Sequence, residues 1–152
     1  MSKEKTQTVI LVVHGTPTNF NEQNRYNADR AMIGLSHKIK KHFNGQTPQI
    51  WHSPAKGAIE MVTRMRKFLP EVVVEQPKEL QEETLGMESM KWLKEKLDTF
   101  EQQNLVLVVD QKFVNKFPMM YAWQPNDAGF GNAIILSRKK GTRMSCEFFP
   151  EN

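Results

Sequence analysis

An unbroken aliphatic run from Val9 to Val13 is the feature that most constrains how this chain can fold. Continuous β-branched and aliphatic residues are typical of a strand that is buried on both faces within a parallel sheet. The sequence Gly-Thr-Pro ends the strand shortly afterwards. In open α/β sheets ligands bind outside the carboxyl ends of the strands, so His14 stands where a site is expected. A purely structural role in a strand-end loop is the alternative interpretation of this histidine.

Helical and strand patterns alternate along the rest of the chain. Amphipathic periodicity predicts helices over residues 28–43, 54–69 and 87–100, with Ser53 as the N-cap of the second helix and Pro54 as its first residue. Apolar runs predict strands at 8–13, 49–53, 72–74 and 105–109, and two short strands near the end predict a hairpin around Gly141. This alternation predicts an α/β fold, a three-layer α/β/α sandwich with a mainly parallel sheet.

Length and composition favour a single cytoplasmic domain. The 152 residues fit one domain, 1–152, in which residues 1–7 are expected to be a flexible N-terminus. No window approaches the ~18 apolar residues of a membrane span, and the polar start does not resemble a signal peptide. The single cysteine, Cys146, agrees with a reducing compartment.

The formal net charge of +4 arises partly from two basic clusters, at residues 37–42 and 138–143. Neither cluster is interleaved with aromatic residues, as the sequences of single-strand binders usually are. We therefore interpret them as a solvated helix face and a hairpin tip, and nucleic acid is not an expected partner.

Polar residues follow three of the predicted strands, directly after their carboxyl ends. His14 follows the first strand, Ser53-Pro54 follows the second, and Asp110-Gln111 follows the fourth. This arrangement resembles the histidine phosphatase superfamily over nearly the whole chain, and most of all its small branch that includes bacterial phosphohistidine phosphatases. In that family the first strand ends in Arg-His-Gly, the second leads into Ser-Pro-x-x-Arg-Ala, and a late strand ends in a second His.

The resemblance implies roles for individual residues. His14 matches the histidine that accepts the phosphoryl group, and Gly15 matches the glycine that lets the backbone approach the phosphate. Ser53 matches the serine of the Ser-Pro turn, and Arg25 is a looser match for a further phosphate-binding arginine. Glu79 stands where some members place a proton donor, although an exposed loop charge is the alternative.

The same comparison shows three departures from the family pattern. Val13 and Gly57 stand where the family has its two motif arginines, and Gln111 stands where it has the second histidine. Phosphoryl transfer depends on positioning and on stabilising the charge of the equatorial oxygens, and one arginine can contribute about 10³- to 10⁵-fold in rate. We therefore expect a catalytically degenerate domain, a binding or regulatory module for a phosphorylated protein or a small phosphate ligand.

Two alternatives remain open. A slow phosphatase could act on phosphohistidine or a phosphomonoester through His14, with Lys56, Lys112 or His52 replacing the lost cations. A remote alternative is an enzyme like the chelatases that insert metal into tetrapyrroles, since Val-Val-His-Gly-Thr at a strand end looks a little like theirs. No cofactor and no metal site are expected, because the histidines lack companions at ligand spacing.

Overall fold

The computed structural model of the chain describes residues 6–14, 25–44, 46–80, 86–129 and 132–149, without the side chains of residues 25–28. The strands are β1 (Thr6–Val13), β2 (Gln49–His52), β3 (Val73–Glu75), β4 (Asn104–Val109), β5 (Ala133–Lys139) and β6 (Ser145–Phe149). The α-helices are α1 (Arg25–His42), α2 (Lys56–Met65), α3 (Met87–Asp98) and α4 (Gln111–Lys116). Two 3₁₀ turns, Lys78–Leu80 and Phe117–Tyr121, complete the described elements.

One six-stranded mixed sheet organises the fold, in the order β3-β2-β4-β1-β5-β6. The first four of these strands are parallel, β5 runs antiparallel to β1, and β5 and β6 form an antiparallel hairpin. Gly141 in the hairpin turn has φ +86°, a left-handed conformation that glycine adopts without steric cost. The α/β fold with a mainly parallel sheet and a terminal hairpin is thus confirmed.

The two faces of β1 pack into two separate cores, which explains its continuous aliphatic sequence. Leu11 and its same-face neighbours pack with α3 and α4, whereas Ile10 and Val12 pack with α1 and α2. All residues from Val9 to Val12 are fully buried. Side chains at successive strand positions point to opposite faces, so a strand between two helical layers must be apolar throughout. The three-layer arrangement follows from this packing.

Several local predictions differ from the structure. β1 begins at Thr6, and Gln7 is fully buried within it, where a flexible terminus was expected. The α2 helix begins at Lys56 rather than Pro54 and ends at Met65 rather than near residue 69. Ser53 is therefore not an N-cap; that position belongs to Ala55, which has no side-chain oxygen to cap the helix.

The second basic cluster is not simply a solvated hairpin tip. The Arg138 side chain is only 13% exposed. Its guanidinium donates to the Gln7 Oε1 and to the Leu97 carbonyl oxygen, and it forms an ion pair with Asp98 at 3.0 Å. It also lies over the ring of Phe100, 5.1 Å from its centroid. Arg138 therefore ties the start of β1 to the end of α3.

Candidate functional site

The parallel strands bring the predicted site residues to the carboxyl edge of the sheet. Val13 at the end of β1 lies opposite Val109 at the end of β4, and His52 at the end of β2 lies opposite Val108. The next backbone bonds continue this register: His14 N–H donates to the Val109 carbonyl oxygen at 3.0 Å, and Ser53 N–H donates to the Val108 carbonyl oxygen at 3.3 Å. The backbones of His14 and Ser53 therefore flank the end of β4.

The side chains at this edge differ in accessibility. His14 is half-buried, whereas Ser53 is fully buried. Ser53 Oγ accepts a hydrogen bond from the Ala55 backbone N–H at 3.4 Å, which holds the Ser-Pro turn. His52 Nδ1 lies 2.8 Å from the Ser53 carbonyl oxygen, and because that oxygen can only accept, Nδ1 carries the proton. Gly15 lies outside the described residues, and Arg25 is described only as the first residue of α1.

The three positions that depart from the family pattern present no cationic group to this edge. Val13 is 2% exposed and packs in the core with Val109 and Phe113. Gly57 is buried in the first turn of α2. Gln111, the first residue of α4, donates its side-chain amide to the Ala128 carbonyl oxygen at 2.9 Å. Val13 and Gly57 are thus buried in packed structure, and the side chain of Gln111 is bonded to the loop that contains Ala128.

Glu79 lies at the same edge of the sheet but several strands away. It follows β3, which is separated from β1 by three strand spacings, or about 14 Å. Glu79 borders a cleft of about 420 Å³ whose wall also includes Lys78, Glu88 and Trp92. The structure places this carboxylate in a concave surface rather than in open solvent, and its role as a proton donor stays a prediction.

Several solved structures have a similar architecture. Phosphoglycerate mutase from Plasmodium falciparum is 16% identical, with 96% of this chain and 91% of that chain covered and a TM-score of 0.70. Mycobacterial glucosyl-3-phosphoglycerate phosphatase is 14% identical, with 97% and 100% covered and a TM-score of 0.68. SixA from Agrobacterium tumefaciens, assigned as a phosphohistidine phosphatase, is 13% identical, with 95% and 98% covered and a TM-score of 0.57.

The chain has the fold of the phosphoglycerate mutase-like histidine phosphatases. At identities this low the likeness shows the fold alone. No protein-family model and no curated protein matches the sequence. The resemblance inferred from the strand-end motifs therefore agrees with the three-dimensional comparison at the level of fold.

Sequence reasoning missed the residue that fixes the segment next to this edge. Asn115 in α4 bonds both backbone groups of Ala128: its Nδ2 donates to the carbonyl oxygen at 3.0 Å, and its Oδ1 accepts from the N–H at 2.7 Å. The Asn132 carbonyl oxygen in turn accepts from the Val13 N–H at 3.0 Å. The only sequence signal for this arrangement is a Gln and an Asn four residues apart on a short helix. Side chains at this spacing lie on the same face of a helix.

Two lysines considered as replacement cations occupy the first turns of α2 and α4. Lys56 and Lys112 are both exposed, at helix ends that follow β2 and β4 at the carboxyl edge. Asp110, the N-cap residue of α4, contributes a carboxylate to the same edge. Within the described ranges, no three His, Cys, Asp or Glu residues are grouped in a way that could hold a metal ion. None of the described helices is long and apolar enough to cross a membrane.

Proposed function

We propose that this chain is a histidine phosphatase-like domain that binds a phosphate-bearing ligand without transferring its phosphoryl group efficiently. The observation that carries this proposal is the bond from the Gln111 amide to the Ala128 carbonyl oxygen. The position at which the family has its second histidine is here occupied by a side chain that holds a loop. Its amide cannot take up or release a proton as an imidazole can.

Charge supports the same conclusion. Efficient phosphoryl transfer needs cations around the equatorial oxygens, and one arginine at such a transition state contributes about 10³- to 10⁵-fold in rate. Val13 is buried in the core and Gly57 has no side chain, so neither can supply that charge. We expect the partner to be a phosphorylated protein or a small phosphate compound.

Features that bind anions are nevertheless present at the carboxyl edge. His14 is half-buried there, and the N-terminus of α2, which has no side-chain cap, lies at this edge. A helix N-terminus favours negative charge through its dipole and through the backbone N–H groups of its first turn, which have no partner within the helix. Binding without turnover is therefore the function that this set of groups supports best.

A slow phosphatase is the second candidate. The exposed Lys56 and Lys112 at the first turns of α2 and α4 favour it, because each places an ammonium at the edge that carries His14. An ammonium replaces a bidentate guanidinium poorly, so we expect weak acceleration at best. We place the protein in the cytoplasm, since its single cysteine is free within β6 and suits a reducing compartment.

Calorimetric titration with phosphate and with vanadate tests the binding proposal. Wild type should bind the anion, and His14→Ala should weaken binding about tenfold or more. The matched control is His42→Ala, because His42 is an exposed histidine at the far end of α1. Absence of anion binding by wild type, or equal affinity of wild type and His14→Ala, would contradict the proposal.

A further inference from the structure

The ends of α1 and α2 form a basic surface at the amino edge of the sheet, opposite the candidate site. The chain leaves α1 at His42 and passes Gln46, whose Oε1 accepts from the side chain of Asn104 at the start of β4. The residues after α2 lead into β3, which pairs with the start of β2. Both helix ends therefore lie where the parallel strands begin.

Four exposed cations on this surface are not held in ion pairs within the described residues. Lys40, Lys41, Arg66 and Lys67 are exposed, and within the described part of the chain they form no ion pair. Arg64 behaves differently, since its guanidinium contacts the carboxylates of Asp29 and Glu60, each at 2.6 Å. Cations at helix carboxyl ends are favoured by the helix dipole, but that preference does not explain why three of the four, Lys40, Arg66 and Lys67, also line clefts.

Two adjoining clefts run between these cations. One, of about 260 Å³, is lined by Lys40, Phe68, Pro70 and one carboxylate, that of Glu71, among others. The second, of about 380 Å³, is lined by Thr63, Arg66, Lys67 and Pro70. Because Pro70 borders both, the two clefts are neighbours on one surface, with Lys40 at the first and Arg66 and Lys67 at the second. Cations spread over two neighbouring clefts suit an extended polyanion better than a single small ion.

The fold also adds the aromatic rings that the basic sequence cluster lacks. Phe68 lies in the first cleft with its side chain half-buried, and its ring is 6.2 Å from the ring of the exposed His37. These residues are far apart in sequence, which is why the sequence pattern alone did not favour a nucleic acid. A cationic groove with rings on which bases can stack is the arrangement that binds single-stranded nucleic acids.

We propose that this surface, made of the two neighbouring clefts and the cations beside them, binds single-stranded nucleic acid. Lys40, Arg66 and Lys67 contact successive phosphates, and a base stacks on Phe68 beside His37. An acidic polypeptide would use the cations but would gain little from the rings. The proposal concerns the opposite edge of the sheet from His14 and does not depend on the anion-binding proposal made for that residue.

Fluorescence anisotropy with a single-stranded RNA of about ten nucleotides tests this surface. The triple variant Lys40→Gln, Arg66→Gln, Lys67→Gln should bind about tenfold more weakly or worse. The matched control is Lys91→Gln, Lys96→Gln, Lys116→Gln, which removes three exposed lysines elsewhere and changes the net charge equally. This control should stay within about twofold of wild type, and thermal melts should show both variants folded.

Two further readouts separate phosphate contacts from base stacking. Three phosphate contacts predict that the logarithm of the association constant falls with the logarithm of salt concentration with a slope of about −2 for a single strand. Phe68→Leu should weaken RNA binding about fivefold or more while leaving this slope unchanged. Equal losses in the two triple variants would overturn the proposal, because binding would then depend on net charge alone. Polyglutamate binding as tightly as RNA with no effect of Phe68→Leu would also overturn it, in favour of an acidic polypeptide.

Discussion

Gln111 donates its side-chain amide to the carbonyl oxygen of Ala128, 17 residues further along the chain. Asn115, one helical turn later, bonds both backbone groups of the same residue. Together these side chains hold the segment before β5 against α4, next to the strand end that carries His14. The position at which the family has its second histidine therefore holds, in this chain, a side chain that supports the fold.

Gln111→Ala should lower the stability of the domain. It removes one hydrogen bond to a buried residue, and such a loss costs about 1 kcal/mol, although Asn115 still bonds the same carbonyl oxygen. We expect the thermal midpoint to fall by a few degrees. The neighbouring Lys112→Ala is the control, because Lys112 is exposed, as Gln111 is, but makes no side-chain hydrogen bond within the described part of the chain. If the two variants melt alike, the amide of Gln111 does not support the fold.

The parts of the fold that could be predicted from sequence are those set by local pattern. Val9–Val13 and Leu105–Val109 are apolar throughout because helices cover both faces of their strands. The short helix α4 was missed, since its six residues span less than two turns and its buried Phe113 is stabilised by stacking on Phe117. That stacking contact depends on the 3₁₀ turn that follows α4. No hydrophobic periodicity in the sequence predicts this turn.

The candidate site likewise has some features that could be predicted from sequence and others that could not. His14 and Ser53 could be placed because the carboxyl ends of parallel strands share one edge of a sheet. The roles of Gln111 and Arg138 could not, because their partners lie 17 and 131 residues away. A side chain that bonds a distant backbone group leaves no repeating pattern in the sequence.

Arg138→Met should destabilise the domain by about 2 kcal/mol. It removes the bonds to Gln7 Oε1 and to the Leu97 carbonyl oxygen in a largely buried place. The Leu97 carbonyl oxygen keeps its bond from Gln7 Nε2 at 2.9 Å, so the main cost falls on Gln7 Oε1 and on the ion pair with Asp98. Because the methionine keeps part of the packing over Phe100, the decrease in the free energy of unfolding comes mainly from the lost polar contacts. Urea unfolding measures it, with Lys140→Met in the exposed turn as the control. Equal unfolding midpoints would show that Arg138 acts only as a surface charge.

The same cluster predicts a stability change at acidic pH. Burial alone would raise the pKa of the Asp98 carboxyl, but hydrogen bonds and charge interactions with Lys94 and Arg138 outweigh it and hold the pKa below the ordinary value of 3.8. A carboxylate with a depressed folded-state pKa stabilises the fold above its unfolded pKa, and this contribution is lost as pH falls through the folded value. The difference in unfolding free energy between wild type and Asp98→Asn should therefore shrink below about pH 3.8. A difference that stays constant down to pH 2 would show that the ion pairs contribute nothing.

Restoring the missing charges tests the residue-by-residue comparison with the family. The triple variant Val13→Arg, Gly57→Arg, Gln111→His should bind phosphate or vanadate more tightly than wild type and regain measurable phosphatase activity. Val13 is 2% exposed in an apolar core, so an unpaired guanidinium there should cost several kcal/mol. Bound anion should offset part of that cost and raise the melting temperature.

The double variant Gly57→Arg, Gln111→His is the control for the triple variant, because it leaves the core at Val13 intact. Calorimetry beside thermal melts at several anion concentrations measures both quantities. If the triple variant stays folded yet binds no anion more tightly than wild type, the three positions do not surround a common phosphate, and their assignment from the family pattern is wrong.

Turnover of phosphohistidine and of a generic phosphomonoester, compared between wild type and His14→Ala, tests the central claim most directly. With Val13 and Gly57 unable to supply cations and the Gln111 amide bound to Ala128, we predict that wild type is no faster than His14→Ala with either substrate. A His14-dependent turnover of about 1 s⁻¹ or more, within the usual range for enzymes, would contradict this account and establish a working phosphatase.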